Sequence, residues 1–315
     1  MKERMGRRSS RRRHKMSSFG LLRGVLLLTA GGLLFAALWM LGDYVVQGRE
    51  TRRVQQALQL ELQQAQANAT EIPAAPTPTQ APLIAAAADA TAAPITPQPM
   101  PTFGAPILTD LVSIYSKNKD LVGWLKSDAI YDIDFPIVQR DNWHYVDHDF
   151  YGRSNIAGTV FLDEDNRIMP QDQNLVLHGH NMKNGTMFGK LVRLMDRNTM
   201  ASEPLFTFST LYHTQTYVPY AISLSSIDPA QQNYFNFLQP GFGDVSTLQS
   251  YTGWLQAHSA LDLPVDVQDG DQLLTLVTCH GDEDSERLIL GLRALRPGED
   301  REAVLRQFAL QVSKR

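Results

Sequence analysis

The spacing of apolar positions changes along this 315-residue chain, and each change predicts a different element. From Gly24 to Gly42, "GVLLLTAGGLLFAALWMLG" runs for nineteen residues without a charge. That is close to the roughly 20 apolar residues that span a bilayer and longer than the roughly 7–15-residue core of a cleavable signal. The spacing then opens out. In "VQQALQLELQQAQA", Val54, Leu58 and Leu62 fall at i, i+4 and i+8, a narrow stripe on a predicted helix. A stripe that thin reads as a solvated stalk, with a weak coiled coil as the alternative. Residues 72–104 have no period at all: eight prolines and one charge make an extended, semi-rigid Pro/Ala/Thr linker that cannot form a core.

A folded region is expected from Ala105. "PILTDLVSIYSKNKDLVGWL" reads as helical, with Leu108, Leu111 and Tyr115 on one face. Short β-rich runs bounded by Gly, Asp, Asn and Pro follow, at 134–139, 158–163, 174–180, 216–225, 272–279 and 287–295. Many short strands with irregular connections predict a barrel or a sandwich, a mainly β domain. "GDVSTLQSYTGWLQAHSAL" predicts a helix inserted before the last two strands, and "EDREAVLRQFALQVSK" a closing helix with Val304 and Phe308 four apart.

Charge sharpens the picture at the N-terminus. Residues 1–53 hold 12 Lys/Arg against 3 Asp/Glu, a net of +9; the whole chain is −4, so the remainder sums to −13. An acidic body argues against nucleic acid as a partner, because phosphate contacts need clustered cations. The basic tract lies before the apolar span, so the positive-inside rule keeps the N-terminus in the cytoplasm and exports the rest. A secretory signal cleaved near Ala36–Ala37 is the alternative. The expected order is a basic cytoplasmic tail over 1–18, a transmembrane anchor over 19–42, a helical stalk and linker over 43–104, and an extracellular domain over 105–315.

Export gives weight to the cysteine count, which is one. No intramolecular disulfide can form, and a solitary exported thiol is either buried and inert or kept for its reactivity. Cys279 ends the apolar run "LLTLVTC" beside an acidic loop, at the rim of a predicted sheet. A cysteine nucleophile needs a proton partner, normally His. His178 and His180 leave a strand into a Gly/Asn turn, a suitable mount. His280 adjoins Cys279, but neighbours on an extended chain point to opposite faces. His144 and His148 are expected to pack among aromatic neighbours, and His213 and His258 to lie on loops or the surface. Arg287 opens the next strand, and a hairpin would bring it back beside the thiol as a fixed cation for an oxyanion. The alternative is a surface Arg paired with Glu283, Asp284 or Glu286. A zinc site from His178, His180, Cys279 and His280 matches no known ligand spacing.

Taken in order, these segments resemble the class B sortases, membrane-anchored cysteine transpeptidases of Gram-positive bacteria. "TLVTC" with a downstream Arg is similar to the TLxTC…R signature, on Cys279 and Arg287. "LHGHNMKNGTMFGKL" is similar to the segment around the catalytic histidine and puts that residue at His180. "VGWLKSDAIYDIDFPIVQRDNWHYVDHDFYGRSNIAGTVFLD" follows the class B pattern throughout, so the likeness runs from about Leu108 to Leu295. It implies a closed eight-stranded barrel with N-terminal helices, one helix before the cysteine strand and a C-terminal helix. It also implies that Cys279 attacks the Thr carbonyl of a five-residue sorting motif near the C-terminus of a secreted protein. His180 would then protonate the leaving amine and deprotonate the incoming one, while Arg287 stabilises the oxyanion or positions the substrate. The acceptor would be an amine of a peptidoglycan precursor or a pilin, and no cofactor or metal is required. Thr278 and Ser285 flank the site as supporting hydroxyls, and Asn181 shapes the turn after His180. The short acidic loop between Cys279 and Arg287 departs from expectation and bears on the placement of Arg287. An exported cysteine peptidase and a non-enzymatic wall-binding protein on a degenerate sortase scaffold are the alternatives.

Overall fold

In a computed structural model, the structure describes residues 18–71, 104–127, 130, 132–202, 204–280 and 285–314. The chain divides into two units, Met1–Val46 and Gln47–Arg315. In the first, helix α1 (Ser18–Glu71) begins, and Leu26, Leu33, Phe35, Trp39 and Leu41 are each at least 59% exposed. Apolar side chains left uncovered along an uncharged run suit lipid, and this stretch is long and apolar enough to cross a membrane. The expected linker lies almost wholly outside the described residues.

The second unit is built on eight strands that close into a barrel, as the resemblance implies. They are β1 (Leu121–Ser127), β2 (Asp134–Val138), β3 (Phe161–Leu162), β4 (Asn174–His178), β5 (Phe206–Thr210), β6 (Thr214–Ser226), β7 (Leu273–Cys279) and β8 (Glu286–Ala294). Their order around the barrel is β1-β2-β3-β4-β7-β8-β6-β5, closed by the β1–β5 pair. The β2–β3 and β4–β7 pairs are parallel and the others antiparallel. Closure removes the free edges that an open sheet would expose. Helix α4 (Val245–Ala257) is the insertion before β7, started by the Asp244 carboxylate, which accepts from the Thr247 amide. It buries Leu248, Tyr251, Thr252 and Leu255, one face at helical spacing. Helix α5 (Arg301–Lys314) closes the chain with Phe308 and Val312 buried.

Strand alternation sorts side chains into two clusters. Leu125, Phe135, Leu162, Leu177 and Leu276 belong to the main core. Their neighbours Trp124, Val138 and Phe161 join a second cluster with Tyr145 and Phe150. That second cluster explains two departures from expectation. The supposed stalk is not solvated: Leu58 and Leu62 are 1% and 7% exposed within it, and Thr51 is buried as well. The thin stripe suffices because its partner surface is strongly apolar. The helix predicted from Pro106 is also much shorter. Only α2 (Val112–Lys117) forms; Asn118 then accepts the Asp120 amide in a turn, and Leu121 onward is strand β1. "LVGWL" is buried on both faces, so its apolar run carries no period to tell strand from helix. Leu111, Leu108 and Tyr115 do share one face, against the second cluster. Strand β5 also escaped the sequence reading, although Phe206, Phe208 and Thr210 alternate with half-buried Thr207 and Ser209.

The parallel β4–β7 pair is what carries the site, and a buried polar link fixes its register. The Thr275 hydroxyl donates to Asn174 Oδ1 at 2.9 Å and accepts from the Tyr251 hydroxyl of α4 at 3.1 Å, with Asn174 and Thr275 wholly buried. Satisfied polar groups in a core specify one alignment, because a slip would strand all of them.

Candidate active site

Cys279 is the last residue of β7, and its partner across the β7–β8 ladder is Arg287. Directly opposed residues of a ladder put their side chains on the same face. On the other side, β4 pairs with β7 up to His178 opposite Val277, and the Gly179 amide donates to the Val277 carbonyl at 3.1 Å. Two residues further, His180 comes level with Cys279. Three strands thus deliver a partly exposed thiol, an imidazole and a guanidinium to one open cavity.

The backbone around His180 is tightly determined. A Cβ at Gly179 would lie 2.7 Å from the Phe188 ring and 2.9 Å from Val160, so only glycine lets β4 pass there. After His180 the chain turns back through an Asn181–Met187 bridge, and the Phe188 amide donates to the His180 carbonyl at 3.0 Å. Asn184 holds the turn by accepting from the amide and hydroxyl of Thr186. The His180 side chain donates through Nε2 to the Val146 carbonyl at 2.7 Å. That bond fixes the ring and leaves Nδ1 as the acceptor of the neutral form. Val146 belongs to a short turn, His144–Val146, whose Tyr145 is anchored in the second cluster. The Tyr145 hydroxyl donates to Asp120 at 2.8 Å; burial first, then the Asp120 carboxylate, push its pKa up to about 12.

Of the supporting residues, Thr278 lines the cavity, and its buried hydroxyl has no partner among the described residues. Ser285 is exposed and is not among the cavity residues; its carbonyl accepts from the Ile227 amide. Asn181 shapes the turn rather than the cavity wall. Arg287 donates from Nη1 to the Glu286 carbonyl at 3.2 Å. Residues 281–284 of the acidic loop, with the Glu283 and Asp284 considered as partners for Arg287, lie outside the described residues. His280 faces Glu286, its Nε2 4.0 Å from the carboxylate, and is not part of the cavity. His144 and His148 stack at 4.3 Å, and His258 stacks on Trp254 at the end of α4. His213 is half-buried in the β5–β6 turn, where burial lowers its pKa. No group of three or more His, Cys, Asp or Glu among the described residues could hold a metal ion.

One feature of the cavity escaped the sequence reading, the carboxylate behind His178. His178 lines the cavity too, with Nε2 2.9 Å from Asp163 Oδ2 and its ring stacked on Phe161. Burial opposes the Asp163 charge, but bonds from His178, the Asp165 amide and Asn142 outweigh it and hold the carboxyl below its usual pKa.

Known proteins agree with this architecture. Residues 128–293, more than half of the chain, match the family model of the Sortase domain. Sortase B of Listeria monocytogenes is 29% identical over 184 residues, 56% of this chain and 70% of that protein. Sortase B of Staphylococcus aureus is 24% identical over 188 residues, 58% and 74% of the two chains. The structure of a Staphylococcus aureus sortase B–substrate complex superposes with a TM-score of 0.63 at 18% identity, covering 80% of this chain and 99% of that one. A closed barrel that brings cysteine, histidine and arginine to one cavity, within a matching domain, leads to one assignment: the chain belongs to the sortase family of cysteine transpeptidases, in its class B.

Proposed function

We propose that this protein cleaves a C-terminal sorting motif of secreted proteins through a Cys279 thioester and transfers them to an amine acceptor of the cell wall. The observation that supports this reading best is the meeting of Cys279, His180 and Arg287 in one cavity from β7, the end of β4 and β8. The Cys279 thiolate attacks the carbonyl of the motif's threonine. Arg287, level with it across the ladder, faces the oxygen that becomes negative, where a fixed cation stabilises the tetrahedral state without reorganising. His180, held by the Val146 carbonyl, protonates the leaving amine, and an incoming amine then resolves the thioester. One peptide bond replaces another, so the exchange needs no nucleotide. The +9 segment ahead of the apolar span would keep the N-terminus inside and the barrel outside.

The test is intact-mass analysis after incubation with five-residue peptides that carry threonine on the acyl side of the scissile bond. The wild type should gain the acyl mass, and Cys279→Ala should gain nothing while melting at the same temperature. Full activity in that variant would end the reading. Adding an amine should divert the thioester from hydrolysed product to amide; hydrolysis alone would make the protein a peptidase.

A further inference from the structure

The transfer step has a proton count that Cys279 and His180 do not close alone. In thioester formation the pair gives one proton to the leaving amine. The acceptor, an alkylamine, arrives as an ammonium at neutral pH. It becomes an amide nitrogen, shedding two protons as the carbon–nitrogen bond forms and the carbon–sulfur bond breaks. One proton returns to the Cys279–His180 pair and restores it. The other must go to solvent or to a second base.

We propose that His178, oriented by Asp163, is that base: a second catalytic histidine that takes the first proton from the incoming ammonium. The inference rests on the transpeptidase reading above. Asp163 is 4% exposed and accepts His178 Nε2–H at 2.9 Å, which fixes the tautomer and leaves the Nδ1 lone pair free. Nothing among the described residues hydrogen-bonds Nδ1. Phe161 stacks on the ring at 5.2 Å and holds its plane. Asn142 donates to Asp163 Oδ2 at 3.0 Å and the Asp165 amide to Oδ1 at 3.1 Å. These bonds keep the carboxylate ionised, so it can stabilise the imidazolium once the proton arrives.

Reach fits as well. His178 lies opposite Val277, one strand across and two residues back from Cys279. Strand spacing and rise put the two Cα atoms about 8 Å apart. An ammonium nitrogen about 3 Å from Nδ1 and about 3–3.5 Å from the thioester carbon occupies that gap. The other titratable or charged groups of the cavity are Tyr145, His180, Cys279 and Arg287. Tyr145 is spent on Asp120, His180 is held by Val146, and Arg287 stays protonated. Among the described residues of the cavity, His178 is the imidazole with a buried carboxylate behind it.

The experiment separates the half-reactions in His178→Gln, which keeps a donor for Asp163 but cannot titrate. Thioester formation is followed by release of the leaving fragment, and transfer by amide yield with ethylamine or with hydroxylamine. Ethylamine is an ammonium at neutral pH, whereas hydroxylamine is already unprotonated and needs one base fewer. Transfer to ethylamine should fall roughly a hundredfold relative to the variant's own thioester formation, and transfer to hydroxylamine by less than about threefold. Asp163→Asn should move the same ratio by about tenfold, and it decides the question if the Gln variant does not fold. Equal losses for both amines, a loss confined to thioester formation, or no loss with ethylamine would each overturn the proposal. A wild type that forms no thioester with any of the peptides is a different result: it defeats the transpeptidase reading and this inference with it.

Discussion

The Thr278 side chain is 4% exposed, and its hydroxyl has no partner among the described residues. Burying a hydroxyl that way costs about 1–3 kcal/mol, so the protein carries a defect beside Cys279. The defect makes sense if the hydroxyl meets a carbonyl of the bound peptide. Thr278→Val should then leave the melting temperature unchanged or raise it, while thioester formation slows by about tenfold, the usual weight of one hydrogen bond to a charged or reacting group. A lower melting temperature with unchanged kinetics would refute that account. Cys279, His180 and Arg287 could be picked out of the chain as candidates because the chemistry proposed for them demands uncommon residue types at particular strand ends. The Asp163–His178 pair was not, since fifteen residues separate its members. Only the β3–β4 pairing shows that Phe161 and His178 face each other there.

At the scale of elements, the Gln47–Glu71 part of α1 matters more than its sequence suggests. Thr51 bonds Asn155, both buried, and Asn155 donates its amide to the Asp147 carbonyl, next to the Val146 that holds His180. Arg52 donates to the Asn184 carbonyl in the turn that follows His180. Leu58 is 1% exposed and Leu60, two residues on, is 56% exposed. Leu58→Ala should therefore cost about 2–5 kcal/mol in urea unfolding, and Leu60→Ala should fall within about 0.5 kcal/mol of wild type. Equal effects would mean that the helix does not dock. The sequence revealed the stripe but not its counterpart, because the second cluster is assembled from seven separate stretches of chain. The same physics hid β1: buried on both sides, it offered no alternation to read.

At the scale of the whole molecule, the division after Val46 predicts where the chain can be cut. A fragment beginning at Gln47 should be monodisperse in gel filtration and unfold cooperatively. One beginning at Ala105 uncovers Leu111, Trp124 and Phe150 of the second cluster, and should aggregate or melt at a lower temperature. Equal behaviour of the two would show that α1 adds nothing to the fold. The barrel's parallel β4–β7 pair has a further consequence, for timing. His180 and Cys279 are neighbours in space but ninety-nine positions apart in the chain, and pairings of that span form late, after long loops have closed. Until then the only thiol of the protein lacks His180 beside it, and the chain holds no second cysteine to trap it. The proposed catalytic pair is thus assembled only at a late stage of folding.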